Sequence, residues 1–317
     1  MIGRLWPRAR PLVGVGILAV LVVRLGTGTV VDGLLMIDAV SVLAALGIGL
    51  LTTMCSAGRW CLVARGLAMR LPLPVAVADT YQALLLNSLL PAGVLGDVHR
   101  AVSHGQRGAR AVVLERVAGQ LIVMVVGAAV LLAQPSLLGY LVPDIGFTAD
   151  TAAVLVAVLV VVLAGVARAL RMPRIRAALR TGLADIRSGV FSRAVWPGVV
   201  VLSVAGLAGH IALFVVAART AGSQAALGEL VPLLVLALLA MALPLNVGGW
   251  GPREAVTAVA FGAVGFGAAQ GLTTAVVYGV LSLIACLPGA AVLLLRRAGQ
   301  RAEPVTEVAP TASVATC

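Results

Sequence analysis

The residues of this chain that could do chemistry gather in two short polar breaks. One reads "PAGVLGDVHRAV" (91–102) and the other "NVGGWGPREAV" (246–256). Each has a Gly-x-x-Gly spacing, Gly93/Gly96 in the first and Gly248/Gly251 in the second, where Gly249 adds a further glycine. Each follows a run of leucines, and in each an arginine, Arg100 or Arg253, comes shortly before Ala-Val. Glycine lets the chain turn sharply and lets a ligand approach the backbone. Pro252 suits the first position of a new helix, where its missing N–H costs nothing. A helix starting there aims its free N–H groups at the break and carries roughly half a positive charge, to which Arg253 adds a full one. That combination suits an anion such as a phosphate. Glu254, in the same turn, has three open roles: partner of Arg253, cap of its helix, or holder of a cationic group. In the first break Asp97 stands where it would N-cap a helix from about Val98, with His99 and Arg100 in the first turn. Arg100 and Arg253 could then face one cavity from opposite sides.

Other polar residues sit in apolar surroundings. Asn87 and Gln82 precede the first break and could line the cavity. Glu115 and Arg116 open an apolar stretch, either as an interfacial ion pair or as support for the site. His210, in "GLAGHIALF", is either a buried hydrogen-bonding residue or a ligand or proton group. No metal, cofactor or catalytic centre is expected. Cys55, Cys61, Cys286 and Cys317 have no ligand spacing, the three histidines are scattered, and neither an Asp-x-Asp pair nor a phosphate-binding G-x-x-x-x-G-K-[ST] loop occurs.

Such groups need a scaffold, and the composition says which. The chain has 317 residues, 61% hydrophobic and 11% charged, with a mean hydropathy of +1.09. A soluble domain is about half apolar and about a quarter charged. The chain reads as an all-α polytopic membrane protein, and its 36 glycines suit close helix contacts in lipid. The net charge is +11 and every basic residue is arginine. Those arginines lie mostly between apolar runs, as orientation signals do, so nucleic acid is not an expected partner.

Full spans are expected at roughly 11–31, 37–57, 111–133, 150–168, 195–218 and 271–295, with shorter pieces at 75–90, 230–247 and 253–269. If the short pieces form two re-entrant hairpins, all arginines except Arg24, Arg219 and Arg253 start or flank the cytoplasmic ends, including Arg59, Arg65 and Arg70 in one loop and seven in loop 168–193. This gives about six full spans plus two broken hairpins in the cell membrane, both termini cytoplasmic. Hairpins entering from opposite sides are what an inverted repeat produces. Trp6, Trp60 and Trp196 suit interfacial aromatic belts. Residues 1–297 form the membrane domain, and 298–317 read as a disordered tail.

At "RW" (59–60), "NSLLPAGVLGDVHRA" (87–101), "LERVAG" (114–119) and "PLNVGGWGPREA" (244–255) the chain resembles the lysylphosphatidylglycerol synthase transmembrane (flippase-like) family. Asn87, Pro91, Gly93, Gly96, Asp97 and Arg100 match that family's first break, and Pro244, Gly248, Gly249, Gly251, Arg253 and Glu254 its second; Leu95 stands where a glycine is usual. The resemblance implies a membrane domain that moves or accommodates lipids. It also implies a soluble aminoacyl-transferase domain after the membrane part in some members. Only a short tail follows here, so synthase activity is not expected.

Three functions follow as expectations. The first is a translocase for an anionic phospholipid or lipid-linked head group, bound by Arg253, Arg100 and the two breaks. The second is a non-catalytic partner of a lipid-modifying enzyme. The third is a membrane-embedded lipid glycosyltransferase, for which Asp97 and Glu254 are the only well-placed acids.

Overall fold

The computed structural model describes residues 27–89, 95–134, 185–187, 190–241 and 250–302. The extended regular elements among them are helices: α1 (Thr27–Leu35), α2 (Ala39–Gly66), α3 (Leu73–Leu89), α4 (Leu95–Ser103), α5 (Gly105–Ala133), α6 (Trp196–Thr220), α7 (Leu227–Met241), α8 (Pro252–Ala263), α9 (Ala268–Cys286) and α10 (Pro288–Ala302). Four apolar stretches among the described residues are long enough to cross a membrane: α2, α5, α6 and Ala268–Arg296. They correspond to the expected spans 37–57, 111–133, 195–218 and 271–295. Their outer faces are apolar, with Leu43, Leu50 and Met54 on α2 and Val113, Val117 and Leu121 on α5, as lipid requires. Residues 27–31 of the expected first span open α1; the rest of that span, and all of 150–168, lie outside the described residues.

Helices α3, α7 and α8 have 17, 15 and 12 residues. At a 1.5 Å rise these measure ~26, ~22 and ~18 Å, against ~30 Å of hydrocarbon. Over the described residues none of the three reaches that thickness upright.

The centre is an antiparallel pair, α2 against α6. A Cβ on Gly198 would lie 2.6 Å from Leu62, one on Gly58 3.1 Å from Leu202, and one on Gly206 3.8 Å from Cys55. Numbers rise along one helix as they fall along the other. The missing side chains let the backbones approach, which is how helices associate where water provides no drive. Helix α2 starts at Asp38, whose carboxylate accepts from the Ser41 backbone N–H (2.8 Å) while Ser41 Oγ accepts from the Asp38 N–H (3.1 Å). The Ser41 N–H, chiefly, holds the Asp38 carboxyl below its ordinary range.

The end of α2 and the starts of α3, α5 and α6 meet around Val63, Ala76, Ala111 and Val195. This end carries exposed Arg65, Arg70, Arg107, Arg110, Arg187 and Arg193. The opposite end gathers the close of α6, the start of α7 and the α8–α9 turn around Ala218, Leu230, Phe261 and Phe266. There Gln270 of α9 donates to the Ala221 carbonyl after α6 (2.6 Å). Helix α3 therefore enters from the arginine-rich end and α4 leads back to it. Helix α7 enters from the other end and α8 leads back to that one.

Three expectations need correction. Arg59 belongs to no loop; it lies inside α2 and is buried, because Trp60–Val63 continue the apolar helix and Glu115 matches its charge. Trp60 is fully buried and so is no belt residue. Helix α10 runs to Ala302, past the expected start of the tail at 298, since Arg, Ala and Gln favour helix. Residues 303–317 lie outside the described ones.

Candidate functional site

Asn87, on the last turn of α3, stitches the first break closed. Its Oδ1 accepts from the Gly96 N–H (2.8 Å), and its Nδ2 donates to Asp97 Oδ2 (2.9 Å). Gly96 is required because a Cβ there would lie 2.5 Å from the Ala83 Cα; this glycine admits a neighbouring helix rather than a ligand. With one opening N–H satisfied by Asn87, α4 starts at Leu95. Asp97 therefore lies within the first turn instead of capping a helix from Val98. Its carboxylate also takes Arg116 Nη2 (2.6 Å) and Arg100 Nη1 (3.3 Å).

Deeper in, Arg59 Nε donates to Glu115 Oε1 (3.0 Å), its Nη2 pairs with the same oxygen, and its Nη1 donates to Ser203 Oγ (3.2 Å). Gly119, one turn beyond Glu115, leaves room for that fork: a Cβ there would lie 2.9 Å from Arg59 Nη2. Arg100 approaches Glu115 less closely, Nη2 to Oε2 3.7 Å, and lies over the Trp60 ring at 4.0 Å. Arg100 Nε and Nη2 and Glu115 Oε2 are buried without hydrogen-bond partners. Among the described residues Arg59, Arg100 and Arg116 pair with two carboxylates, Glu115 and Asp97, and nearby Asp79 is taken by Arg296, so one positive charge is left over in this cluster. The three arginines, Glu115, Ser203 and His210 line a cavity of about 320 Å³.

The second break is built differently. Gly251 has φ 107, open only to glycine without strain, and Pro252 opens α8 as expected. Glu254 fills two of its three candidate roles. Its Oε2 accepts from the Gly251 N–H (2.6 Å), and its Oε1 accepts from Arg253 Nε (2.9 Å) and pairs with Nη2. The Arg253 guanidinium lies 4.9 Å from the Trp250 ring and 5.1 Å from that of Tyr278. Gly279 gives it space, since a Cβ there would stand 2.6 Å from Arg253 Nη2. Arg253 and Glu254 are 2% and 0% exposed and together neutral. Arg253, Trp250, Thr52 and Ser88 help line a second cavity of about 170 Å³.

The two cavities share Leu84, His210, Met241 and Tyr278. His210 is open to them, and its Nδ1 stands 3.5 Å from the Tyr278 hydroxyl. Arg100 and Arg253 thus line adjoining cavities with a common wall. Gly93, Gly248 and Gly249 lie outside the described residues.

The chain matches the family model of the lysylphosphatidylglycerol synthase TM region over residues 9–289. It belongs to this family. No curated protein and no solved structure matches it. Membership and the four apolar helices make it an integral membrane protein.

Sequence reasoning missed Ser203, Asp79, His104 and Arg296, and misread Arg59 and Trp60. Asp79 accepts from Arg296 (2.6 Å) and pairs with His104 (2.7 Å), and Gln82 Oε1 accepts from Arg296 Nη1 (3.0 Å). A signal existed for two of them. Asp79 is the sole acid in the apolar run 71–90, and Arg59 is followed directly by "WCLV"; a charge flanked by apolar residues is seldom kept without a partner.

Proposed function

We propose that this domain translocates an anionic lipid, a phospholipid or a lipid-linked phosphate, by passing its head group through the two cavities. The phosphate sits first among Arg100, Arg59 and Arg116. The observation that carries this reading is the unneutralised positive charge lining the larger cavity. A charge kept at membrane depth is costly and marks function by default, and arginine forks match phosphate oxygens. A second station lies in the smaller cavity, lined by Arg253 whose charge Glu254 already neutralises, and Gly96 and Gly251 shape the helix starts beside the path. His210 stands at the wall between the stations.

The helix order favours an inverted repeat. α2-α3-α4-α5 and α6-α7-α8-α9 each run long helix, short helix, break, short helix, long helix. Each packing pair has a counterpart: α4–α5 and α8–α9, α5–α7 and α9–α3, α2–α5 and α6–α9, α5–α6 and α9–α2. The antiparallel α2–α6 contact is what a two-fold axis in the membrane plane generates. Residues from 115 to 123 of α5 line one cavity and 278 to 286 of α9 the other, so the exchange carries one cavity onto its neighbour. In this reading there are six full spans and two re-entrant hairpins in the cell membrane. The arginine-rich end faces the cytoplasm, in keeping with the positive-inside rule.

The test is transfer of a fluorescent phosphatidylglycerol between leaflets of proteoliposomes. Arg100→Ala should slow it by about tenfold or more, the worth of one charge-assisted contact. Undiminished transfer removes the head-group site.

A further inference from the structure

Asp97 holds one side of Arg100, accepting from its Nη1 at 3.3 Å, and the rest of the guanidinium is less fully answered. Two of its nitrogens, Nε and Nη2, lack hydrogen-bond partners, and so does Glu115 Oε2. Nη2 and Oε2 are 3.7 Å apart, just beyond bonding distance. Unrestrained, the two groups would close into a pair, as Arg59 and Glu115 have done. Arg100 would then have little left to offer a phosphate.

The face of Trp60 lies 4.0 Å from the Arg100 guanidinium, on another side of it. Trp60 is completely buried, and its indole N–H has no partner, an arrangement that plain packing does not favour. The edge of His104 meets the ring, with centroids 5.2 Å apart and planes at 84°. His104 Nε2 lies 2.7 Å from Asp79 Oδ2, and Asp79 Oδ1 accepts from Arg296 of α10 at 2.6 Å. A continuous stack therefore runs from the last helix, through α3 and the α4–α5 joint, to the arginine in the cavity wall. Of its members, Arg100 lines the cavity; Trp60, His104 and Asp79 stand behind it.

From this we infer that Trp60, fixed by His104 and Asp79, is the positioning residue that keeps Arg100 off Glu115 and its fork open to a lipid phosphate. The inference rests on the head-group site proposed above. It assigns the last helix a part in that site, because Arg296 anchors the far end of the stack.

The experiment uses the full chain in phosphatidylcholine nanodiscs, titrated with phosphatidylglycerol and read by native mass spectrometry. Trp60→Phe keeps a ring face and should bind as the wild type does. Trp60→Leu should lose about tenfold in affinity, as expected for a desolvated cation–π contact. Adding Glu115→Gln to Trp60→Leu should restore most of the loss, because the competing carboxylate is gone; Glu115→Gln alone is the reference. A merely structural tryptophan would show no such rescue, and its absence overturns the inference. Wild-type affinity in Trp60→Leu, beside lost binding in Arg100→Ala, also overturns it and leaves the site standing. Wild-type affinity in Arg100→Ala removes the site itself. Should Trp60→Leu fail to fold, His104→Leu decides: reduced affinity supports the stack, and unchanged affinity ends it.

Discussion

Arg100 and Arg253 each lie on a short helix that follows a break, one in each half of the chain. Arg253 has its counter-charge next to it in sequence. Glu254 holds two of its nitrogens and also caps the helix, so the helix start and the arginine are both already answered. Arg100 has no such neighbour. It shares Glu115 with Arg59 and Asp97 with Arg116, and its nitrogens are incompletely satisfied. One backbone device thus supports a closed neutral pair in one half and an open cationic cluster in the other. The lesson is that a broken helix with an arginine is not by itself an anion site; the surrounding carboxylates decide.

The largest expected effect tests the closed half. Glu254→Ala leaves Arg253 buried and unpaired and uncaps α8, and should cost about 3–5 kcal/mol. Thermal unfolding in detergent, followed by size-exclusion monodispersity, reads it. A Tm near that of the wild type would mean that Arg253 is solvated and free for a ligand, and the contrast would fail.

Next comes the exchange of roles between the arginines. Arg253→Ala should lower stability by about 3 kcal/mol or more, since it strands Glu254. Arg100→Ala should cost less stability and lose about tenfold or more in affinity for phosphatidylglycerol. Equal affinity losses at equal Tm would erase the distinction.

A smaller effect separates packing from binding at the first break. Gly96→Ala pushes a methyl into the Ala83 backbone and should cost about 1–3 kcal/mol by overpacking. Lipid affinity, measured on the folded fraction, should stay near that of the wild type if this glycine serves helix contact alone.

The smallest concerns Asp38, outside both halves' breaks. Its folded pKa is lowered below the ordinary 3.8 by the Ser41 N–H. Its contribution to stability is therefore complete above that value and fades as pH falls through the lower, folded one. Asp38→Asn keeps an acceptor for the Ser41 N–H and should lower Tm slightly at pH 7, by an amount that shrinks under acid. Lipid affinity should not change.

Much of the molecule was legible in its residues. The apolar runs gave the helical membrane character and the four described spans. Pro252 after Gly251 marks the start of α8, and of the three roles open to Glu254 (partner of Arg253, cap, holder of a cationic group) it fills the first two. The start of α4 departs from the expected one because the acceptor for its opening N–H is Asn87, nine residues back across the break, where local capping rules do not look. Arg59 and Trp60 read locally as loop and interface residues because their partners, Glu115 and Arg100, lie 56 and 40 positions away.

The sequence by itself determined membership of the membrane class, the family, and the places where helices break, because those follow from composition and from neighbours along the chain. Which charges remain unanswered was decided only in three dimensions. Hydrophobicity and capping are local sums, whereas the neutrality of a buried group depends on what other helices bring within a few ångströms. Among the described residues they brought a carboxylate for Arg59, an indole face for Arg100, and for Arg253 no ion pair beyond the one its own next residue supplies.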